Sequence, residues 1–474
     1  MSNPPGPRHP PMPRHRPDRV SFWQHLRIFG RDILSAQPAR LYRAKMAEVR
    51  LPFLRSFMVN TPDLVRLVLQ ERPRDFPKSA RVAEGLRPLL GNSVFVTNGA
   101  TWERQRRMID PAFEGGRLHA TFPAMWQAGL ATLARLRPGV LEVEAETSHA
   151  AADVIFRTLF SVPIEDARAA QVFAAFRAHQ RAQPILNLGA LVPLPAWVPR
   201  LHRPRTRSTA RAIRALITAM TAARTAEIAG GTAPDDLATK IMTTRDPETG
   251  TVFDTDEMVD QVAIFFLAGH ETSASALAWA LYLLATHPDA QAEVAAESCA
   301  LDPYLVAGQV PEFGLLRQFP RTRDVFRETL RLYPPVPMMV REAARPERFR
   351  DRPVPPGSQV IVSPWHMGRH EAIWPDPHAF RPGRWRDPAN RAHARDGYLP
   401  FSAGPRVCTG AGFAMAEGVL LLAMILRQWR LDPVAGEVPV PQAQLTVRAR
   451  DGIRLRFTPR PGAVALPCVA RDDV

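Results

Sequence analysis

From Val262 to Leu284 the chain is apolar on every side of a helical wheel. Asp254-Thr255-Asp256-Glu257, just ahead of it, has the acceptor and acid spacing of a capping box. No proline follows until Pro288, so the pattern predicts one helix of roughly thirty residues, about 45 Å long at 1.5 Å per residue. A helix apolar all round crosses a core rather than lining a surface. A membrane span has the same outline, but His270 and Glu271 in its middle would be costly in lipid, and no second span accompanies it. Phe413 to Leu426 reads as another buried helix.

Elsewhere the spacing is weaker but readable. Leu51 to Val59 is β-like, and Thr61-Pro62-Asp63 supplies a cap residue, a first-turn proline and an acid before Leu64 to Leu69, so a strand turns into a helix. Phe76 to Asn98 mixes proline and glycine with isolated apolar residues and predicts a long irregular segment. Helical spacing returns from about Ser148 to Gln183, with Val154, Phe156, Leu159, Val172, Phe173 and Phe176 as buried candidates. Pro184 to Pro204 breaks it before a basic helix over Thr206 to Ile228. Val360-Ile361-Val362 reads as a strand, and Gln444 to Arg448 with Ile453 to Phe457 as a hairpin around Asp451-Gly452. The fold class is mainly α with a small β region, its strands near residues 50–60, 338–363 and 444–458.

The proline-rich opening, with Arg8, Arg14 and Arg16, predicts a disordered lead-in over residues 1–20, and residues 21–474 form one domain. It lacks the continuous apolar stretch of a signal peptide or transmembrane anchor, which points to a cytoplasmic protein. Phe22, Trp23, Leu26, Phe29, Ile33 and Leu34 recur at near-helical spacing; packing on the protein's own core is the preferred use, contact with a membrane surface the other. Lys and Arg number 61 against 46 acids, a formal charge of +15, but the arginines are scattered and no nucleic-acid motif is present, so a solvated basic surface is expected. Cys299, Cys408 and Cys468 cannot all pair, which fits a reducing compartment.

Cys408 stands apart. It sits in Phe401-Ser402-Ala403-Gly404-Pro405-Arg406-Val407-Cys408-Thr409-Gly410, ahead of the Phe413 helix, and two glycines permit a tight loop to approach a flat cofactor. The helix N-terminus favours a thiolate, and Arg406 can reach an anionic group on the cofactor. Three further spacings matter. Trp102 and Arg106 lie four apart on one helical face; Ala268-Gly269-His270-Glu271-Thr272 interrupts the long apolar helix with an acid and a hydroxyl; Glu328 and Arg331 are three apart. No set of four spaced cysteines suggests an iron–sulfur centre in the chain.

Phe-x-x-Gly-x-Arg-x-Cys-x-Gly resembles the haem-ligand loop of the cytochromes P-450, and the other spacings match that family's motifs in order, over about residues 50 to 460. The resemblance implies a long central helix over haem b, with Cys408 as the proximal iron ligand in a loop that includes Phe401 and Gly410. Trp102, Arg106, Arg406 and Arg341 would hold the propionates. Glu271 and Thr272 would relay protons to dioxygen, with Gly269 leaving room beside the iron. Glu328, Arg331 and Arg384 would form a buried ion network, and the segment from 184 to 204 a lid. Phe265, Ala268, Gly269, Val336, Met338 and Met339 would line the pocket for a hydrophobic substrate such as a terpenoid, steroid, fatty acid or polyketide. The implied reaction inserts one atom of O2, with electrons from a separate donor, an acidic ferredoxin with its reductase, docking near Arg104 and Arg107. Two alternatives differ in chemistry: a peroxide-driven peroxygenase, which usually dispenses with an acid–threonine pair, and a non-catalytic haem or lipid carrier, which consumes no reductant.

Overall fold

The structure, a computed structural model, describes residues 9–51, 54–182 and 204–464. The long apolar run is one unbroken helix, Thr255–Thr286, of 32 residues, or about 48 Å. Its first turn is closed reciprocally, Asp254 Oδ1 accepting from Glu257 N at 2.8 Å and Glu257 Oε2 from Asp254 N at 3.1 Å. This central helix packs against Val143–Phe160, Pro204–Ala229, Pro320–Leu332 and the helix that follows Cys408, Ala411–Gln428. That last helix is long and apolar enough to cross a membrane, but its window is 72% buried inside the fold, where Leu420, Leu422 and Leu426 join the main core.

A four-stranded sheet holds a second, smaller core around Phe57, Val360 and Trp374. Its order is Met46–Leu51, Leu54–Val59, Gln359–Val362, Met339–Glu342, with the middle pair parallel and the outer pairs antiparallel. Arg341 lies opposite Val360 at its edge, and an isolated bridge pairs Arg341 with Lys78. Strand pairing thus brings two cations side by side from residues far apart in sequence.

Several expectations change. Within residues 76–98 the chain forms a helix, Ala80–Leu90, despite Gly85 and Pro88, because Leu86, Leu89 and Leu90 bury against Pro204–Ala229 and the central helix. The stretch from Ser148 to Gln183 holds parts of two helices, Val143–Phe160 and Ala167–Ala182, separated where Ser161 turns left-handed at φ 59°. The hairpin does not form. Gly452 does turn, but Val447–Ala449 pairs with Pro441–Ala443, while Arg454–Pro459 lies between Gly139–Glu142 and Trp429–Pro433.

Residues 9–20, expected within a disordered lead-in, are tied to the body: Pro11 O accepts from Tyr333 Oη at 2.7 Å, and Arg16 Nε donates to Ala36 O at 2.6 Å. The expected lid lies outside the described residues except for Pro204, which opens the helix Pro204–Ala229; Cys468 lies outside them as well.

Candidate active site

The cysteine loop is held from both sides. Cys408 N donates to Phe401 O at 2.9 Å, folding the loop back on itself. Gly404 has φ +69°, and a Cβ there would come within 2.0 Å of Leu69 O, so this position admits only glycine. Gly410 differs: its φ is −86° and nothing lies within 4 Å of a Cβ built there, so its backbone imposes no such demand and the space beside it is open. The helix Gly99–Ile109 clamps the other flank. Arg106 Nη1 donates to Val407 O at 2.8 Å and its Nε to Asp110 at 2.9 Å, while Thr409 Oγ1 donates to Asp110 Oδ1 at 2.7 Å.

Ala268 is exposed in the middle of the central helix, between buried Leu267 and His270, and Cys408 is exposed in its loop, just ahead of a helix that enters the core. The helix that carries Ala268 and the helix that follows Cys408 pack on each other. Phe113 bridges the wall beside it, its ring 5.8 Å from that of Phe265 and 6.5 Å from that of Phe413.

Burial pushes the Cys408 thiol up, against the opposing pull of the Gly410 N–H and Arg106.

Beside the loop three basic side chains converge on one indole, and a fourth lies next to them. Lys78 Nζ, Arg106 Cζ and Arg406 Cζ lie 5.5, 5.9 and 5.1 Å from the Trp102 ring centroid, and Arg341 is bridged to Lys78 through the backbone. Among the described residues Arg406 bonds Pro73 O and Arg341 its neighbour's carbonyl at 3.4 Å, and the buried Nε of each has no partner there. Among the described residues no carboxylate ion-pairs with Lys78, Arg341 or Arg406. Lys78 falls to about 6, first through burial and then through the charges of Arg341, Arg406 and Arg106. Such a cluster is complete only with an anion, and a flat group carrying two carboxylates against it, with a metal at the sulfur, fits the residues present. Lys78 was not foreseen: nothing in Phe76-Pro77-Lys78 marks it, and only the bridge to Arg341 reveals it.

On the central helix Thr272 Oγ1 donates to Ala268 O at 2.5 Å. Its one proton is thus committed, and its lone pairs are what it offers the cavity. Glu271 turns to the C-terminal segment, where Thr446 Oγ1 donates to its Oε1 at 2.5 Å and Arg448 pairs with it at 2.9 Å. Gly269 does not open room for a ligand. A Cβ there would meet Ile155 Cδ1 at 2.3 Å, so the glycine lets two helices close on each other. His270 Nε2 meets Ser148 Oγ at 2.8 Å and is buried, which drives its pKa down to about 3.

Glu328, Arg331 and Arg384 come together fully buried. Glu328 receives Arg331 through two bonds of 2.8 and 3.0 Å and Arg384 at 2.9 Å, with Arg381 N as a fourth donor. Further guanidinium hydrogens reach the carbonyls of Gly368, Pro377 and Ala379 from Arg331 and of Pro375 and Asp376 from Arg384. Burial pushes Glu328 up, but Arg331 and Arg384 outweigh it and hold the carboxyl below its usual range.

The other pocket residues divide. Val336 and Met338 are half-buried, Met338 against the main core, whereas Met339 belongs to the sheet core, as the alternation of a strand requires. Arg104 and Arg107 are not free docking cations. Arg104 pairs with Glu257 at 2.6 Å and Arg107 with Asp246 at 2.6 Å and Glu248 at 3.0 Å.

Residues 20–457 match the family model described as Cytochrome P450. The chain is 35% identical over 397 residues to the cyclooctat-9-en-7-ol 5-monooxygenase of Streptomyces melanosporofaciens, covering 82% of this chain and 83% of that protein. It is 31% identical to cyclooctatin synthase of the same organism, covering 93% and 96%. To pentalenene oxygenase of Streptomyces avermitilis it is also 31% identical, covering 88% and 90%. The fold and site define a haem monooxygenase that acts on hydrophobic small molecules. The chain belongs to the cytochrome P450 family, whose cofactor is haem b, and it works with O2 and a redox partner.

Proposed function

We propose that this monooxygenase hydroxylates a cyclic terpenoid. The observation that carries the reading is the similarity, over four-fifths of both chains, to the cyclooctat-9-en-7-ol 5-monooxygenase. The apolar wall of Phe113, Phe265 and Ala268 suits a hydrocarbon skeleton with few polar groups. Polycyclic terpene alcohols are expected to displace water from the haem and shift its main absorption band at micromolar concentration. Response to fatty acids or steroids, with none to terpenoids, would overturn this substrate class.

In this reading Cys408 holds the iron through sulfur, while Arg106, Arg341, Arg406 and Lys78 hold the two carboxylates around Trp102. Bound there, haem b supplies the activation of dioxygen. Thr272 Oγ1, anchored through its own proton to Ala268 O, would accept a hydrogen bond from a donor beside it; donating its proton instead requires release of that anchor. Glu271 supplies protons only when its pair with Arg448 opens. Thr272→Ala is expected to leave folding and substrate binding unchanged while product per reductant consumed falls by about tenfold and peroxide rises correspondingly. Unchanged coupling would remove the hydroxyl from the pathway.

The electron donor we infer is a small acidic ferredoxin with its reductase, in the cytoplasm. The +15 charge supports it, although Arg104 and Arg107 are already committed to internal carboxylates.

A further inference from the structure

Residues 9–20 lie against the body as a strap with few anchors. Tyr333 Oη donates to Pro11 O at 2.7 Å, Arg16 N to Ser35 O at 3.1 Å and Arg16 Nε to Ala36 O at 2.6 Å, and Met12 packs on the main core. The helix that follows, Phe22–Phe29, adds little, since none of its residues is buried. Of the N-terminal apolar residues expected on the core, Leu34 is buried and Ile33 packs there, whereas Phe22 and Trp23 are exposed. Between the two anchors sits His15, and it faces a concentration of imidazoles.

Three histidine rings surround that of Tyr42, with centroids 5.2 Å away for His15, 5.0 Å for His366 and 5.3 Å for His378. Tyr42 is buried and accepts from Trp365 Nε1 at 2.8 Å. Over the Trp365 ring, 3.8 Å from its centroid, lies Arg369, which is 1% exposed and donates to Leu332 O; among the described residues it ion-pairs with no carboxylate. The acids that face the cluster are already used. Asp32, toward His15, accepts from Leu34 N at 3.0 Å and Ala443 N at 2.9 Å, and Glu371, toward His370, pairs with Arg43 at 3.5 Å. The other charges are of one sign: Arg331 and His9 face His378, and His370 faces His366. Burial, and after it the charge of Arg369 and of neighbouring imidazoles, drives His366 down to about 3 and His378 to about 4. Burial lowers His15 too, against a bond to the Gln37 backbone and the charge of Asp32.

We propose that residues 9–20 form an acid-sensitive strap, lifted from Tyr42 when His15 and His378 take up protons against Arg369. The sign follows from linkage. Histidines that are held neutral when covered and behave ordinarily when uncovered bind more protons in the open form. Closure is therefore complete above about pH 6.5 and is lost as the pH falls toward about 4. Opening takes His15 into water and frees His378 from His9 and His15. The release has a short route to the Glu328 network. Pro377 and Ala379, on either side of His378, give their carbonyls to Arg331 at 2.6 and 2.9 Å, and Tyr333, which holds Pro11, directly follows the helix that carries Glu328 and Arg331. The strap lies outside the catalytic machinery and does not depend on which substrate is oxidised.

Hydrogen exchange of the full-length haem-loaded protein tests this, read at the Arg16 amide, whose bond to Ser35 O reports closure, with rates corrected for the intrinsic effect of pH. In wild type the protection of this amide is expected to fall at least about tenfold between about pH 7.5 and about pH 5, while amides in the middle of the helix Thr255–Thr286 stay protected. The double variant His15→Phe/His378→Phe, which keeps two rings against Tyr42 and removes their titration, is expected to hold its protection at about pH 5 to within about threefold of its value at about pH 7.5. Should that variant fail to fold, His15→Phe alone, at a half-buried position, is expected to lose less protection than wild type over the same range. Equal protection of wild type at both pH values would overturn the proposal. So would variants that lose as much protection as wild type, which would give the acid response to other groups, or loss of the central helix together with the strap, which would make it global unfolding.

Discussion

Glu328→Ala is expected to leave little folded haem protein. The substitution strands two guanidiniums in a site where Glu328 and Arg331 side chains have no exposure and Arg384 has 3%. Removing one partner of such a network costs about 3–5 kcal/mol, a large share of the roughly 5–15 kcal/mol by which a domain is stable. The carbonyls around Arg331 and Arg384 satisfy hydrogens but carry no full negative charge, so they do not replace the carboxylate. As a control, Arg386→Ala removes a half-exposed arginine from two longer pairs, with Asp324 at 3.5 Å and Glu293 at 3.9 Å, and should change stability by less than about 1 kcal/mol. Thermal unfolding of the two variants, with the yield of soluble haem protein, checks the contrast. A Glu328→Ala melting temperature close to that of Arg386→Ala would show that the network contributes little.

Cys408→Ser is expected to abolish oxygenation while sparing the fold. The loop is shaped by backbone contacts, Cys408 N to Phe401 O, Arg106 to Val407 O and Thr409 to Asp110, none of which uses the sulfur. Stability of the cofactor-free chain should therefore change by less than about 1 kcal/mol, within the ordinary range for a substitution that breaks no named contact. Product formation should fall below detection, since a serine oxygen lacks the electron donation that a thiolate ligand gives iron. Cys299→Ser should leave turnover unchanged. Oxygenation at a sizeable fraction of wild type by Cys408→Ser would remove the sulfur from the chemistry.

What the sequence disclosed and what it hid divide along a physical line. The central helix was legible because its cap and its apolar run are local, and the candidate loop around Cys408 stood out because it sets particular residues at fixed spacing. Lys78 was not, since its meaning comes from a bridge to Arg341 across 263 positions of chain. Arg104 and Arg107 looked free because their partners, Glu257 and Asp246, lie far along the sequence. The helix Ala80–Leu90 was read as irregular because Gly85 and Pro88 weaken local propensity, yet burial of its leucines decides the outcome. Gly452 announced a turn correctly, but strand partners are chosen by packing over long distances, and the two flanking segments pair elsewhere.

The central claim is that Cys408 holds haem iron as a thiolate beside Arg106, Arg341, Arg406 and Lys78. Reduction of the purified protein under carbon monoxide tests it most directly. The account predicts the strongly red-shifted absorption band of thiolate-ligated ferrous haem, lost in Cys408→Ser and retained in Cys299→Ser. An unshifted, histidine-like band in the wild-type protein, or a red-shifted band that persists without Cys408, would contradict it.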